Sequence, residues 1–241
     1  MTGERLLTIE CLHAGYDGVA VVRNLNLHVD SGEVVALIGP NGAGKTTTLM
    51  TVSGMVQIMS GSVTVMDRLV PRLRQAHRAA RWGVSHVPEN RGLLFQLTVR
   101  ENLLLAKTRG RVNIDRAMDF FPALVPLIGR RAGLLSGGEQ QMLALARAIV
   151  AEPKLLMVDE MSLGLAPVIY EELMPVVRRI ADDAGAGVLL VEQHVDLALE
   201  VSDRGYVLNH GDLVMQGDAS EMLADRAVLD ASYLGAKSLE D

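Results

Sequence analysis

The sequence has a single cysteine, Cys11, among 241 residues, which excludes an intrachain disulfide and a cysteine-ligated zinc site and fits a reducing compartment. Its place after Leu7 and Ile9 in an alternating run marks it as a small buried hydrophobe rather than a reactive thiol. Long apolar runs are missing too. None approaches the about 18 residues of a membrane span, and the opening MTGERLLTIE lacks the apolar centre of a signal peptide. A soluble chain is expected, with any membrane association made through a partner. Basic charge is in deficit, with 23 Lys and Arg against 29 Asp and Glu. Affinity for nucleic acid rests on Lys and Arg neutralising phosphates, so no nucleic-acid partner is expected. The basic stretch Arg72, Arg74, His77, Arg78, Arg81 reads as a solvated helix face. Aromatic residues make up only 3%, yet 49% of the chain is apolar, so a sizeable aliphatic core is available.

No repeat, low-complexity tract or linker divides the chain, and residues 1–241 are expected to form one composite domain. Near the start, Leu25, Leu27 and Val29 alternate with Asn24, Asn26 and His28, the pattern of a half-buried antiparallel strand. Later, Val34 to Ile38, Leu155 to Val158 and Val188 to Val191 are uninterrupted apolar runs, the pattern of strands covered on both faces. Helical patterns near Thr46 to Ser53, Gly137 to Val150 and Pro167 to Ala184 alternate with them, which predicts an α/β fold with a mostly parallel sheet. The stretch from about 92 to 135 has helical periodicity without a strong strand and reads as a helical lobe inserted into the core. Towards the end, Tyr206 to Leu208 and Leu213 to Met215, joined through His210 and Gly211, read as a hairpin, and a short helix is expected after Ser220.

Gly39, Pro40, Asn41, Gly42, Ala43, Gly44, Lys45 and Thr46 spell GPNGAGKT, a full GxxxxGK[ST] pattern after a buried strand and at the start of a helix. Glycines there let backbone N–H groups curl around a phosphate and the helix N-terminus adds partial positive charge. Lys45 can reach terminal phosphates, and the Thr46 hydroxyl can ligate Mg²⁺. The strand LLMV ends in Asp159 and Glu160. Ligands of open α/β sheets bind beyond the carboxyl ends of strands, so Asp159 would face that Mg²⁺ and Glu160 would polarise the attacking water as general base. Leu135 to Gln141, LSGGEQQ, opens a helix with Ser136 as cap and Gly137 and Gly138 leaving N–H groups open to an anion.

GPNGAGKT, LSGGEQQ and LLMVDE, in that order, resemble the Walker A, signature and Walker B motifs of ABC ATPases, and the resemblance extends over nearly the whole chain. It implies a P-loop NTPase core with an N-terminal antiparallel β subdomain and a helical lobe, using ATP and Mg²⁺. It also implies a head-to-tail pair, in which Ser136, Gly137, Gly138 and Glu139 of one subunit complete the ATP site of the other. Thr47 extends the phosphate loop. Tyr16 matches the aromatic residue that stacks on adenine, and Ser162 to Leu165 the loop that contacts the second subunit. VPENRGLLFQLTVRENL, DEMSLGLAP, VEQHVDLALEVSDRGYVL and ASYLG look like the ATPase subunits of branched-chain amino-acid uptake systems, whose relatives also serve urea and short amides. Such a system implies transmembrane permeases, a second ATP-binding subunit, either a related partner or a second copy, and an extracytoplasmic binding protein. The chain would lie at the cytoplasmic face of the membrane.

Two positions depart from the wider family. Counting back from Glu101 and Asn102 places Glu89 where most members have Gln, close enough to approach Mg²⁺ or water, and the importer subunits resembled here commonly share this Glu. The γ-phosphate sensor is usually a histidine ten residues before the Asp of an SDR-like segment; Asp203 is ten beyond Gln193 and nine beyond His194. Spacing assigns the role to Gln193, with His194 the rival. A soluble ABC ATPase without permeases is disfavoured by the absence of a second cassette, coiled coil or basic arm. An inactive regulatory relative is disfavoured by intact Lys45, Asp159 and Glu160.

Overall fold

The structure, a computed structural model, describes residues 3–72, 75–106, 112–225 and 229, with His77 described by its backbone alone. Arg74, the 107–111 part of the expected lobe and the terminal ASYLG segment lie outside the described residues. Two sheets organise the rest. The first is antiparallel, in the order β2-β1-β4-β5, from β1 (Arg5–Tyr16), β2 (Val19–Asp30), β4 (Ile58–Val65) and β5 (Arg68–Leu69). The second has the order β10-β9-β3-β8-β7-β6, from β3 (Val34–Ile38), β6 (Val84–Val87), β7 (Leu155–Asp159), β8 (Gly187–Glu192), β9 (Arg204–Asn209) and β10 (Asp212–Asp218). It is parallel except where β10 turns back on β9. That turn is the hairpin expected at His210 and Gly211, whose φ values of 48° and 89° suit a two-residue loop matching the twist of its strands.

The helices are α1 (Lys45–Val52), α2 (Ala76–Arg81), α3 (Val99–Leu104), α4 (Ile114–Phe120), α5 (Gly137–Val150), α6 (Pro167–Ala184), α7 (Val195–Glu200) and α8 (Ala219–Ala224). The uninterrupted apolar strands follow from a sheet covered on both sides. Along β3, Val34, Ala36 and Ile38 enter a core shared with α5 and α6, while Val35 and Leu37 enter a second core against α1 and the antiparallel sheet. β7 and β8 divide their residues between the same two cores, so neither face of the sheet tolerates a polar residue. The closing helix starts at Ala219, one residue ahead of Ser220, because Asp218 caps it by accepting from the Ser220 N–H at 2.9 Å.

Cys11 is a correction. It is exposed, at φ 46°, in an irregularity of β1 where the register shifts between Ile9 and Leu12. The bulge hands the next core position to Leu12, which is fully buried, and turns Cys11 outward against Asn26. Within 92–135 the described regular structure is α3, α4 and two 3₁₀ turns, Pro122–Leu127 and Ala132–Leu134. These pack on α5 through Leu103, Ala117, Phe120, Leu124 and Leu143. Buried Asn102 laces the preceding loop by donating to the carbonyls of Leu94, Leu97 and Thr98 and accepting from the Leu94 N–H. Arg72, Arg78 and Arg81 are exposed.

Candidate active site

The phosphate loop leaves the carboxyl end of β3 at Gly39, where a Cβ would stand 2.2 Å from the Leu208 carbonyl oxygen of β9, so only glycine fits. Gly42 and Gly44 have φ of 78° and 105°, and a Cβ on Gly44 would meet Val22 at 2.9 Å. The loop is tied down at Ala43, whose N–H donates to the Pro40 carbonyl and whose own carbonyl accepts from the Gly211 N–H. Asn41 is exposed, Pro40 is half-buried, and Thr47 is buried in the first turn of α1. Gly42, Ala43, Gly44, Lys45, Thr46 and Thr47, closed by Val21 and Glu160, line a pocket of about 120 Å³. An oxyanion is the natural occupant of a small, glycine-lined cavity at a helix N-terminus.

Lys45 is only 3% exposed, folds back to donate to the Gly39 and Pro40 carbonyls at 2.8 and 3.1 Å, and pairs with the Glu160 carboxylate at 3.2 Å. Thr46 Oγ1 donates to Asp159 Oδ1 at 3.2 Å. Burial pushes the Asp159 carboxyl up to about 6, and the charges of Glu160 and Glu89 push the same way against the Thr46 bond and the Lys45 charge. Carboxylates that crowd one another beside a hydroxyl are relieved by a cation, and this donor set fits Mg²⁺. Among the described residues no three His, Cys, Asp or Glu side chains form a metal cage.

Glu160 follows β7 at φ 44°, a conformation sparsely populated outside glycine, and its N–H is anchored to the Val191 carbonyl at 2.9 Å. Its Oε2 accepts from Gln193 Nε2 at 2.6 Å. His194 is exposed at the start of α7, its ring 5.6 Å from that of Tyr170. The structure therefore brings Gln193, and not His194, onto the Glu160 carboxylate. Glu89 is exposed on the loop after β6. Tyr16 lies beside α1, half-exposed, its hydroxyl towards the Met50 sulfur at 3.6 Å, outside the residues lining the phosphate pocket.

The second glycine pair lies apart from that pocket. Ser136 and Glu139 form a reciprocal cap on α5, with Ser136 accepting from the Glu139 N–H and Glu139 from the Ser136 N–H. A Cβ on Gly138 would stand 2.8 Å from Ile169, and one on Gly137 would touch Leu165 at 3.6 Å, so these glycines let the loop after Glu160 and the start of α6 approach closely. Sequence reasoning missed three participants. Arg91 donates to Gln140 and Gln141 of α5, and Arg147 of α5 donates back to the Arg91 and Gly92 carbonyls, bolting the Glu89 loop to this helix. Glu192, at the end of β8, binds Ser162. A carboxylate closing the apolar run VLLV was the one sequence signal for it.

A glycine-rich loop between a buried parallel strand and a helix, beside strand-end carboxylates, defines a P-loop nucleotide-binding protein. Comparison narrows the class: residues 22–162 match the ABC transporter family model, and the chain belongs to that family, as an ATP-binding and ATP-hydrolysing subunit. The high-affinity branched-chain amino acid transport ATP-binding protein BraG of Pseudomonas aeruginosa is 39% identical over 95% of this chain and 100% of its own length. A probable branched-chain amino acid transport ATP-binding protein, LivF of Archaeoglobus fulgidus, is 36% identical over 88% of this chain and 92% of its own. The lipopolysaccharide export system ATP-binding protein LptB of Escherichia coli is 33% identical over 95% and 97%. Among solved structures, an ATP-binding cassette of an ABC transporter in its ADP conformation superposes with a TM-score of 0.80 at 25% identity, over 96% of this chain and 99% of that one. No helix among the described residues is long and apolar enough to cross a membrane.

Proposed function

We propose that this chain powers an importer of branched-chain or other hydrophobic amino acids from the cytoplasmic face of the membrane. The observation that carries the reading is the end-to-end match to a branched-chain amino acid transport ATPase, at higher identity than the match to an export ATPase. The 33% identity to the export protein supports the opposite direction as a second reading.

In this account Lys45 and the N–H groups of residues 42 to 46 hold the ATP phosphates, and Thr46 and Asp159 hold Mg²⁺, with Glu89 near it. The ion would supply charge neutralisation at the phosphates. Glu160 takes the proton of the attacking water, and Gln193 orients that carboxylate while its amide can also donate to phosphate. Lys45 must exchange Glu160 for phosphate, which frees the carboxylate for water as the nucleotide is gripped. Tyr16 stacks on adenine. Ser136, Gly137, Gly138 and Glu139 serve the ATP held by a second ATP-binding subunit, a related partner chain in this reading. Permeases dock on the helical lobe at about 92 to 135, and an extracytoplasmic binding protein delivers the cargo. Purification of the intact complex from native membranes tests this. Two permeases, a second ATPase and a secreted amino-acid-binding protein are expected. Recovery with lipopolysaccharide-handling components supports export instead, and recovery with no membrane protein contradicts both.

A further inference from the structure

We propose that Glu192 is a positioning residue for hydrolysis, a brace that locks the loop after Glu160 to the loop carrying Gln193. The proposal rests on the reading of Glu160 as base and of residues 162–165 as the loop facing the second subunit. β8 is fully buried from Val188 to Val191 and then ends in a carboxylate that is equally buried. A buried carboxylate forfeits its hydration unless its bonds replace water, so packing alone would favour an apolar side chain here. Burial pushes this carboxyl above its usual range even against the bonds it accepts.

The carboxylate accepts bonds that replace that water. One oxygen accepts from the Ser162 N–H at 3.1 Å, and the other from the Ser162 hydroxyl at 2.7 Å and the Gln193 N–H at 3.2 Å. On either side of the brace, the Glu160 N–H donates to the Val191 carbonyl and Gln193 Nε2 donates to the Glu160 carboxylate. Residues 160–162 and 191–193 are thereby closed into one ring, with Glu192 as its strut. A shift of Ser162, driven from the second subunit, cannot occur without moving both Glu160 and Gln193.

The test uses the intact transporter containing this subunit, and compares E192Q, S162A and their combination. The amide of E192Q keeps the volume but turns an NH₂ towards the Ser162 or Gln193 donors, leaving a donor facing a donor. Expected is a fall in kcat of about tenfold or more, since small displacements of catalytic groups are costly. KM for ATP should stay within about twofold of wild type. S162A should show a smaller loss of the same kind, and the double variant should be no worse than E192Q within about twofold, because both act through one connection. E192D, which keeps the acceptors, should recover part of kcat. An unchanged kcat for E192Q, a loss confined to KM or to the unfolding midpoint, or multiplying losses in the double variant would each overturn the brace. Should E192Q fail to fold, S162A decides alone: reduced kcat supports the brace and wild-type kcat overturns it. E160Q separates the two levels of inference. If E160Q hydrolyses normally, the reading of the base fails and the brace with it; if E160Q is inactive while E192Q is normal, only the brace fails.

Discussion

Replacing Gln193 with Ala removes the amide that donates to Glu160 at 2.6 Å, while replacing His194 with Ala removes a ring that faces Tyr170 and solvent. A hydrogen bond to a charged group contributes about 1.5–3 kcal/mol. If the catalytic geometry depends on it, kcat should fall about 10- to 100-fold, at about 1.4 kcal/mol per factor of ten. The His194–Tyr170 contact is worth about 0.5–1.5 kcal/mol and lies off the Glu160 carboxylate, so its loss should appear in stability rather than turnover. Steady-state ATPase assays of both variants from pH 5 to 9, with ATP saturation curves, give the comparison. Expected are a large kcat loss for Gln193→Ala at nearly constant KM, and a His194→Ala profile that superimposes on wild type. The reverse ranking, or a wild-type pH dependence that His194→Ala abolishes, would refute the assignment and give the role to His194.

Glu160→Gln should lower kcat by about 10²- to 10⁴-fold, the usual contribution of a general base, while ATP binds at least as tightly because Lys45 loses its carboxylate competitor. Isothermal titration with ATP and single-turnover assays check both halves; weakened binding would contradict the Lys45 exchange. Gly39→Ala drives a Cβ against the Leu208 carbonyl at 2.2 Å, so destabilisation of about 1–3 kcal/mol is expected, read as a melting temperature lower by several degrees. His86, whose Nδ1 meets the Ser53 hydroxyl at 3.1 Å, is held neutral by burial with its pKa lowered to about 4. The unfolded chain takes up this proton near pH 6.5 and the folded chain only near 4, so stability falls as pH drops through that window. Denaturant titrations at pH 7 and pH 5 should show a smaller acid loss in His86→Asn than in wild type.

The phosphate loop, the LLMVDE strand and the capped helix at Ser136 were legible in the sequence because each is local: its residue types and its element adjoin within about ten positions. The strands were legible because burial on two faces leaves no polar position in β3, nor in β7 and β8 before their final carboxylates. Cys11 was misread because alternation continues through a bulge on paper while the backbone does not, and only the pairing with β2 and β4 reveals the slip. The Arg91 and Arg147 bolts join residues about fifty positions apart, and Glu192 reaches Ser162 across thirty, so no periodicity could announce them. Spacing selected Gln193 over His194, and the structure places the Gln193 amide on the Glu160 carboxylate.

The most direct measurement is uptake of labelled leucine by cells in which this chain is replaced by its Glu160→Gln variant, with complex assembly verified by co-purification. The account predicts that uptake at low external leucine is lost while the variant chain remains bound to its permeases. Undiminished uptake, with the variant incorporated and inactive as an ATPase, would contradict it.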